Sequence, residues 1–217
     1  MVEPHFGPLL VHANSRRHDP ISPASVACAM LVHIFSNITS DKAAPFITLY
    51  WFCGSHIRSP SDGSLSLMRS LICQLLVAGA FEYGFEQPKE FDGRALGHLL
   101  DIFTELLRQL PKRTAVVCII DSISYYEDSH LREDTTKSIR RLVKLSRAET
   151  PIFKLLITSP TRTSHIHREP AIAKYIKLVE IPQHVNGAKQ GFNHRAMVME
   201  TEQKARSLSL KTAEIGE

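Results

Sequence analysis

The most informative segment of the chain is TAVVCIID, at residues 114–121. It follows the polar break PKR at residues 111–113 and contains an unbroken apolar run rich in β-branched side chains. Because helical patterns flank it on both sides, the run predicts a strand buried on both faces of a parallel sheet. Asp121 stands at the C-terminal end of this strand, where open α/β sheets bind their ligands. The carboxylate is therefore either a ligand-binding group or a residue that merely caps the following turn.

The rest of the chain alternates strand and helix patterns. Further strands are predicted at residues 46–53, 153–159 and 175–181, with a short one at 9–12. Helices are predicted at 22–36, 64–78, 92–110 and 129–145, a helical turn at 166–174 and a charged helix at 196–208. Ser22 and Asp92 are the expected N-caps of the first and third helices. This alternation predicts a three-layer α/β fold with a mostly parallel sheet.

Composition restricts the class of protein. The 217 residues are 43% hydrophobic and 22% charged, which is typical of a soluble globular chain. The net charge of +4 comes from mixed charges without a long basic block, so nucleic-acid binding is permitted but not indicated. No signal peptide or membrane span is apparent, which predicts a cytoplasmic protein without membrane contact. The scattered cysteines predict buried, reduced thiols: Cys28, Cys53, Cys73 and Cys118.

Four segments in this order resemble one family. They are LYWFC at 49–53, LMRSLICQLL at 67–76, VCIID at 117–121 and KLLITSP at 154–160. Together they are similar to the NACHT-type STAND NTPases of filamentous fungi, whose amino-terminal region is often labelled nephrocystin-3-like. The resemblance covers residues 24–182 and implies a sheet of the P-loop NTPase type.

The resemblance also implies a nucleotide site. In that family, Asp121 would coordinate magnesium, and Glu127 or Asp128 would lie near the acidic residue that orients water. Ser159 and Arg162, at the end of a sensor strand, would lie near the γ-phosphate. Ser122 occupies a place where many relatives have glycine.

The phosphate-binding loop departs from the family pattern. The motif G-x-x-x-x-G-K-[ST] is absent, and PAS at residues 23–25 stands where Gly-Lys-Ser is expected. Ala24 supplies no charge to the phosphates, and no glycine lets backbone N–H groups wrap around them. The basic loop formed by Arg16, Arg17 and His18 could substitute for the missing phosphate-binding groups, or it could simply be solvated. We therefore expect a fold that is incomplete at the first strand and at the phosphate loop.

These observations predict an N-terminal segment at 1–21, an NTPase-like core at 22–182, and a linker with a C-terminal helix at 183–217. The favoured hypothesis is a degenerate or truncated NACHT module that acts as an interaction or regulatory scaffold, without cofactor or nucleotide hydrolysis. The alternative is a divergent ATPase or GTPase that uses magnesium at Asp121. A basic adaptor for nucleic acid is a third hypothesis, and it would need cations clustered on one face. The expected partners are proteins or further copies of the chain.

Overall fold

The computed structural model describes residues 7–15, 21–37, 45–57, 63–78, 95–148 and 151–181. The basic loop residues Arg16, Arg17 and His18 lie outside these ranges, as do Asp92 and the predicted tail helix at 196–208. The strands and helices, numbered in chain order, are β1 (Leu9–His12), α1 (Pro23–Ser36), β2 (Phe46–Phe52), α2 (Gly63–Ala78), α3 (Leu96–Gln109), β3 (Ala115–Asp121), α4 (Arg132–Leu145), β4 (Ile152–Ser159), α5 (Pro170–Ala173) and β5 (Lys177–Glu180). Short 3₁₀ turns lie at Cys53–His56, Ile123–Tyr126 and Ile166–Arg168.

The described strands form one five-stranded sheet in the order β2-β3-β4-β1-β5, and every neighbouring pair is parallel. The predicted three-layer α/β architecture is confirmed. The short first strand fills the position between β4 and β5, where Leu10 aligns with Ile157 on one side and with Leu178 on the other. The sheet therefore has no gap at its first strand, although β1 is only four residues long.

β3 lies between β2 and β4 and is buried on both faces, as its apolar run predicts. Val116, Cys118 and Ile120 belong to the main hydrophobic core, together with side chains of α2, α3 and α4. Ile119 is fully buried and, by strand alternation, faces the opposite layer, where α1 contacts β2, β3 and β4. The side chain of Asp121 follows the same alternation and also faces α1.

Two details of the sequence prediction were wrong. The third helix begins at Leu96, and its N-cap is Ala95, without a side-chain cap, rather than the predicted Asp92, which lies outside the described residues. The hydrophobic stripe of that helix starts only at Leu96, which is why it begins later than expected. Cys73 is exposed rather than buried, because it lies off the buried stripe formed by Leu71, Ile72 and Leu75 on α2.

The β2 edge of the sheet is partly closed by a side chain. The Gln74 amide on α2 accepts a hydrogen bond from the Tyr50 N–H at 2.9 Å and donates one to the Tyr50 carbonyl at 2.8 Å. The same amide nitrogen contacts the Ser70 hydroxyl at 2.9 Å, which fixes its orientation. A side-chain amide thus occupies the positions that an adjoining strand would use.

Candidate functional site

Asp121 lies at the carboxyl end of β3, facing the first turns of α1. Its Oδ1 accepts a hydrogen bond from the Thr158 hydroxyl at 2.5 Å, and its Oδ2 accepts one from the Ser122 hydroxyl at 2.8 Å. The residue is only 1% exposed. Hydrogen bonds to a charged group are stronger than neutral ones, so this buried carboxylate holds the ends of β3 and β4 together.

Two residues of α1 extend these contacts into what we term the Asp121 network: Ser25, Cys28, Asp121, Ser122 and Thr158. The hydroxyl oxygens of Ser25 and Ser122 are 3.4 Å apart. The Cys28 thiol donates to the Thr158 hydroxyl over 3.9 Å. Burial, assisted by the nearby Asp121 carboxylate, raises the pKa of Cys28 to about 12, so the thiol stays protonated and remains a donor.

Ser122 has a backbone conformation that favours glycine. Its φ of 61° and ψ of 40° lie in the left-handed region, which costs a residue with a Cβ roughly 1 kcal/mol. Its N–H donates to the Thr158 hydroxyl at 3.3 Å and its own hydroxyl donates to Asp121. The hydrogen bonds of Ser122 therefore offset the conformational cost of its left-handed backbone.

The start of α1 engages two of its own backbone donors. Ser22 is the N-cap, as predicted, and its hydroxyl accepts the Ser25 N–H at 3.1 Å, while the Ser25 hydroxyl accepts the Ser22 N–H at 3.1 Å. Pro23 occupies the first helical turn and has no N–H to offer. Phosphates bind at helix starts through free backbone N–H groups. Here a reciprocal capping box engages two of those groups, and proline removes another.

Glu127 is engaged as a structural cap. Its carboxylate accepts backbone hydrogen bonds from Ser164 at 2.5 Å, His165 at 2.8 Å and Ile166 at 2.8 Å. These N–H groups belong to the loop that enters the 3₁₀ turn at Ile166–Arg168. A carboxylate that accepts three backbone hydrogen bonds is fixed in position.

The two residues predicted near the γ-phosphate also have local partners. The buried Ser159 hydroxyl donates to the Thr161 carbonyl at 2.6 Å. Arg162 donates to one oxygen of Glu180, from Nε at 3.1 Å and from Nη2 at 2.5 Å. This guanidinium lowers the pKa of the Glu180 carboxyl. Both candidate residues therefore stabilise the end of the sheet.

Asp128 differs from the other candidates because its carboxylate is exposed and has no hydrogen-bond partner among the described residues. It lines a cavity of about 280 Å³ above the ends of β3 and β4, together with Ser124, Glu127, Thr161, Arg162 and Ser164. Asp121 is not among the lining residues. The structure thus separates Asp121 from the cavity that the predicted site residues Asp128 and Arg162 share.

Sequence reasoning missed a buried histidine at the end of β1. His12 is fully buried, and its Nε2 accepts the Thr163 N–H at 3.3 Å and lies 3.0 Å from the Thr163 hydroxyl. The same hydroxyl lies 3.0 Å from Nδ1 of His167. Burial, and then the neighbouring His167, lower the pKa of His12. The only sequence signal was a histidine that ends an apolar run, and its partners are 151 and more residues away.

The described residues do not fit a magnesium site of the family type. Magnesium requires six oxygen ligands in octahedral geometry and usually keeps several waters. Both oxygens of Asp121 already accept hydroxyl hydrogen bonds, and the carboxylate is almost completely buried. Within the described ranges, no group of three or more histidine, cysteine, aspartate or glutamate side chains is placed to hold a metal ion.

The fold and the site define a three-layer α/β domain with the strand order of P-loop NTPases, in which hydroxyl groups surround the carboxylate at the end of the third strand. No protein-family model matches the chain, and no curated protein matches it. In the part of the chain that the structure describes, no helix is both long enough and apolar enough to cross a membrane.

Proposed function

We propose that this chain is a degenerate NACHT-like module that serves as a scaffold in a regulatory assembly and does not hydrolyse nucleotides. The observation that carries the proposal is the Asp121 network. The carboxylate that would bind magnesium in the resembled family is instead bound by the hydroxyls of Ser122 and Thr158. Phosphoryl transfer depends on positioned charges around the phosphates, and these residues supply hydrogen bonds within the protein instead.

The start of α1 supports the same proposal. In a working phosphate loop, backbone N–H groups and a lysine surround the β and γ phosphates. Ala24 replaces that lysine, and the Ser22–Ser25 capping box engages the helix N-terminus. Both contributions to phosphate binding, the backbone donors and the cation, are thus reduced in the described residues. A scaffold requires only the stable sheet that these contacts provide.

The alternative function is a divergent nucleotide hydrolase, and the cavity near Asp128 favours it. This cavity lies at the carboxyl edge of the sheet, where α/β proteins commonly bind ligands. Its cation, Arg162, is however paired with Glu180. A triphosphate would have to displace that carboxylate to gain the guanidinium.

The test is calorimetric titration of the purified chain with ATP and with GTP in the presence of magnesium, followed by measurement of phosphate release. We expect no binding heat and no turnover above background. Asp121→Asn serves as a control, because it removes the charge while keeping the shape of the side chain. Turnover in the wild-type protein that disappears in Asp121→Asn would refute the scaffold proposal and support the alternative.

A further inference from the structure

A basic groove lies on the outer surface of the domain, between α4 and the 3₁₀ turn at Ile166–Arg168. It is open, has a volume of about 630 Å³ and is lined by four cationic residues: Arg132, Lys137, Arg140 and Arg168. All four side chains belong to exposed residues. Two carboxylates, Glu133 and Glu169, also line it, so the groove carries a net charge of +2 from four cations and two anions when His165 is neutral.

The cations of this groove differ in how far they are already paired. Arg140 donates to Glu169 at 2.7 Å, which fixes both side chains on one wall. Arg132 lies 3.2 Å from Nε2 of His165, and because guanidinium only donates, that nitrogen accepts. Among the described residues, Lys137 and Arg168 have no ion-pair partner. Positive charge is therefore available along the groove without breaking an existing ion pair.

Two of the α4 cations are spaced to contact the same extended acidic chain. Arg132 and Arg140 are about 12 Å apart along the helix axis and differ by roughly 80° in direction around it. In an extended peptide, alternate side chains share one face, and residues four positions apart are separated by about 13 Å. Carboxylates on one face of such a peptide would therefore lie near both arginines. Arginine is especially suited to this contact because its planar group binds carboxylates through two parallel hydrogen bonds.

We propose that this groove binds an acidic, extended segment of a protein partner, an inference that rests on the proposed scaffold function. The lining carboxylates favour a peptide over a nucleic acid. Glu133 and Glu169 would repel a continuous line of phosphates, whereas they can accept hydrogen bonds from peptide N–H groups. The partner segment would carry acidic side chains at alternate positions, with uncharged residues between them.

The experiment measures fluorescence anisotropy of a labelled peptide of about ten residues, with glutamate and alanine alternating, mixed with the full chain. We expect binding at low salt that weakens as the ionic strength rises. The double variant Lys137→Glu with Arg168→Glu should reduce the affinity about tenfold or more, because charge reversal replaces attraction by repulsion. Lys137→Gln with Arg168→Gln should show a smaller loss, which separates charge from folding effects.

A matched control keeps the same change in net charge but places it elsewhere. Arg108→Glu with Lys144→Glu reverses two exposed cations outside the groove and should leave the affinity within about twofold of wild type. Equal loss in both double variants would show a nonspecific charge effect and would overturn the proposal. Absence of binding at low salt would overturn it as well.

Two further measurements identify the class of ligand. A peptide with glutamine in place of glutamate should not bind, and a single-stranded DNA of about ten nucleotides should bind more weakly than the acidic peptide. Tighter DNA binding that is lost in the groove variant would assign the surface to nucleic acid and overturn the proposal. Calorimetry with ATP and magnesium tests the scaffold function separately. If the chain binds neither the acidic peptide nor the nucleotide, only the proposal for the groove is refuted.

Discussion

Replacement of Asp121 is the sharpest test of the structural role that we assign to this carboxylate. In Asp121→Ala, the buried hydroxyls of Ser122 and Thr158 lose their common acceptor. Hydrogen bonds to charged groups contribute about 1.5 to 3 kcal/mol each, which gives an upper limit of about 6 kcal/mol for the pair. Removing the carboxylate also ends the desolvation cost of a buried charge, so we expect a net destabilisation of about 2 to 4 kcal/mol.

The companion variant Asp121→Asn should be destabilised less, by about 1 to 2 kcal/mol. The amide oxygen still accepts one hydroxyl hydrogen bond, and the other hydroxyl can rotate to accept from the amide nitrogen. We therefore expect the wild-type protein to be the most stable, Asp121→Asn to be less stable and Asp121→Ala to be the least stable. Asp128→Ala is the matched control, because that exposed carboxylate has no hydrogen-bond partner in the described part of the chain, and its loss should change stability by no more than about 0.5 kcal/mol.

The assay is urea denaturation followed by the fluorescence of Trp51, the only tryptophan of the chain. This side chain is 8% exposed, is stacked on His56 with 3.9 Å between ring centroids and donates to the Tyr126 hydroxyl, so unfolding changes its surroundings completely. A functional carboxylate is often held at the expense of stability. If Asp121→Ala were as stable as wild type or more stable, the structural reading of the Asp121 network would be wrong.

Three further predictions concern the sheet and its buried groups. Cys118→Asp or Ile119→Asp should abolish folding, because an unpaired carboxylate on this buried strand costs several kcal/mol and the total stability of a protein is typically about 5 to 15 kcal/mol. The variants should lose the circular dichroism signal of the folded chain, and wild-type melting temperatures would contradict this prediction. The lowered pKa of His12 means that the folded state binds fewer protons than the unfolded state, so the free energy of unfolding should fall as the pH drops below 6.5. In His12→Gln, the urea midpoint should no longer depend on pH in this range, and an unchanged pH dependence would assign the effect to another group. Ser122→Gly should be more stable than Ser122→Ala by about 1 kcal/mol, because both variants lose the hydroxyl but only alanine is strained in the left-handed backbone conformation. Equal urea midpoints for the two variants would contradict this prediction.

The sequence predicted those parts of the fold that depend on local patterns. The apolar run before Asp121 gave a strand buried on both faces, and Ser22 followed by Pro23 marked the start of α1 to the residue. The first strand was uncertain because four residues provide too short a pattern. Pairing with β4 on one side and β5 on the other stabilises it, and those partners are distant in the chain.

The site was less predictable because its contacts are long-range. Asp121 was placed at the correct edge of the sheet, but its partner Thr158 is 37 residues away and was not expected to reach it. The resemblance implied a chemical role for Glu127 or Asp128, but it did not indicate that Glu127 binds backbone groups 37 to 39 residues further on. Whether a polar side chain is free or engaged depends on such contacts, and a single sequence does not contain them.

The Gln74 amide protects one margin of the sheet. A parallel sheet can grow by one strand wherever a margin presents unpaired N–H and C=O groups in register. At the β2 margin, an incoming strand would first have to displace the Gln74 side chain from both polar groups of Tyr50 and leave that amide in need of new partners. Unwanted pairing between chains is therefore disfavoured at this margin by one residue of a neighbouring helix, without a charge or a proline in the strand itself.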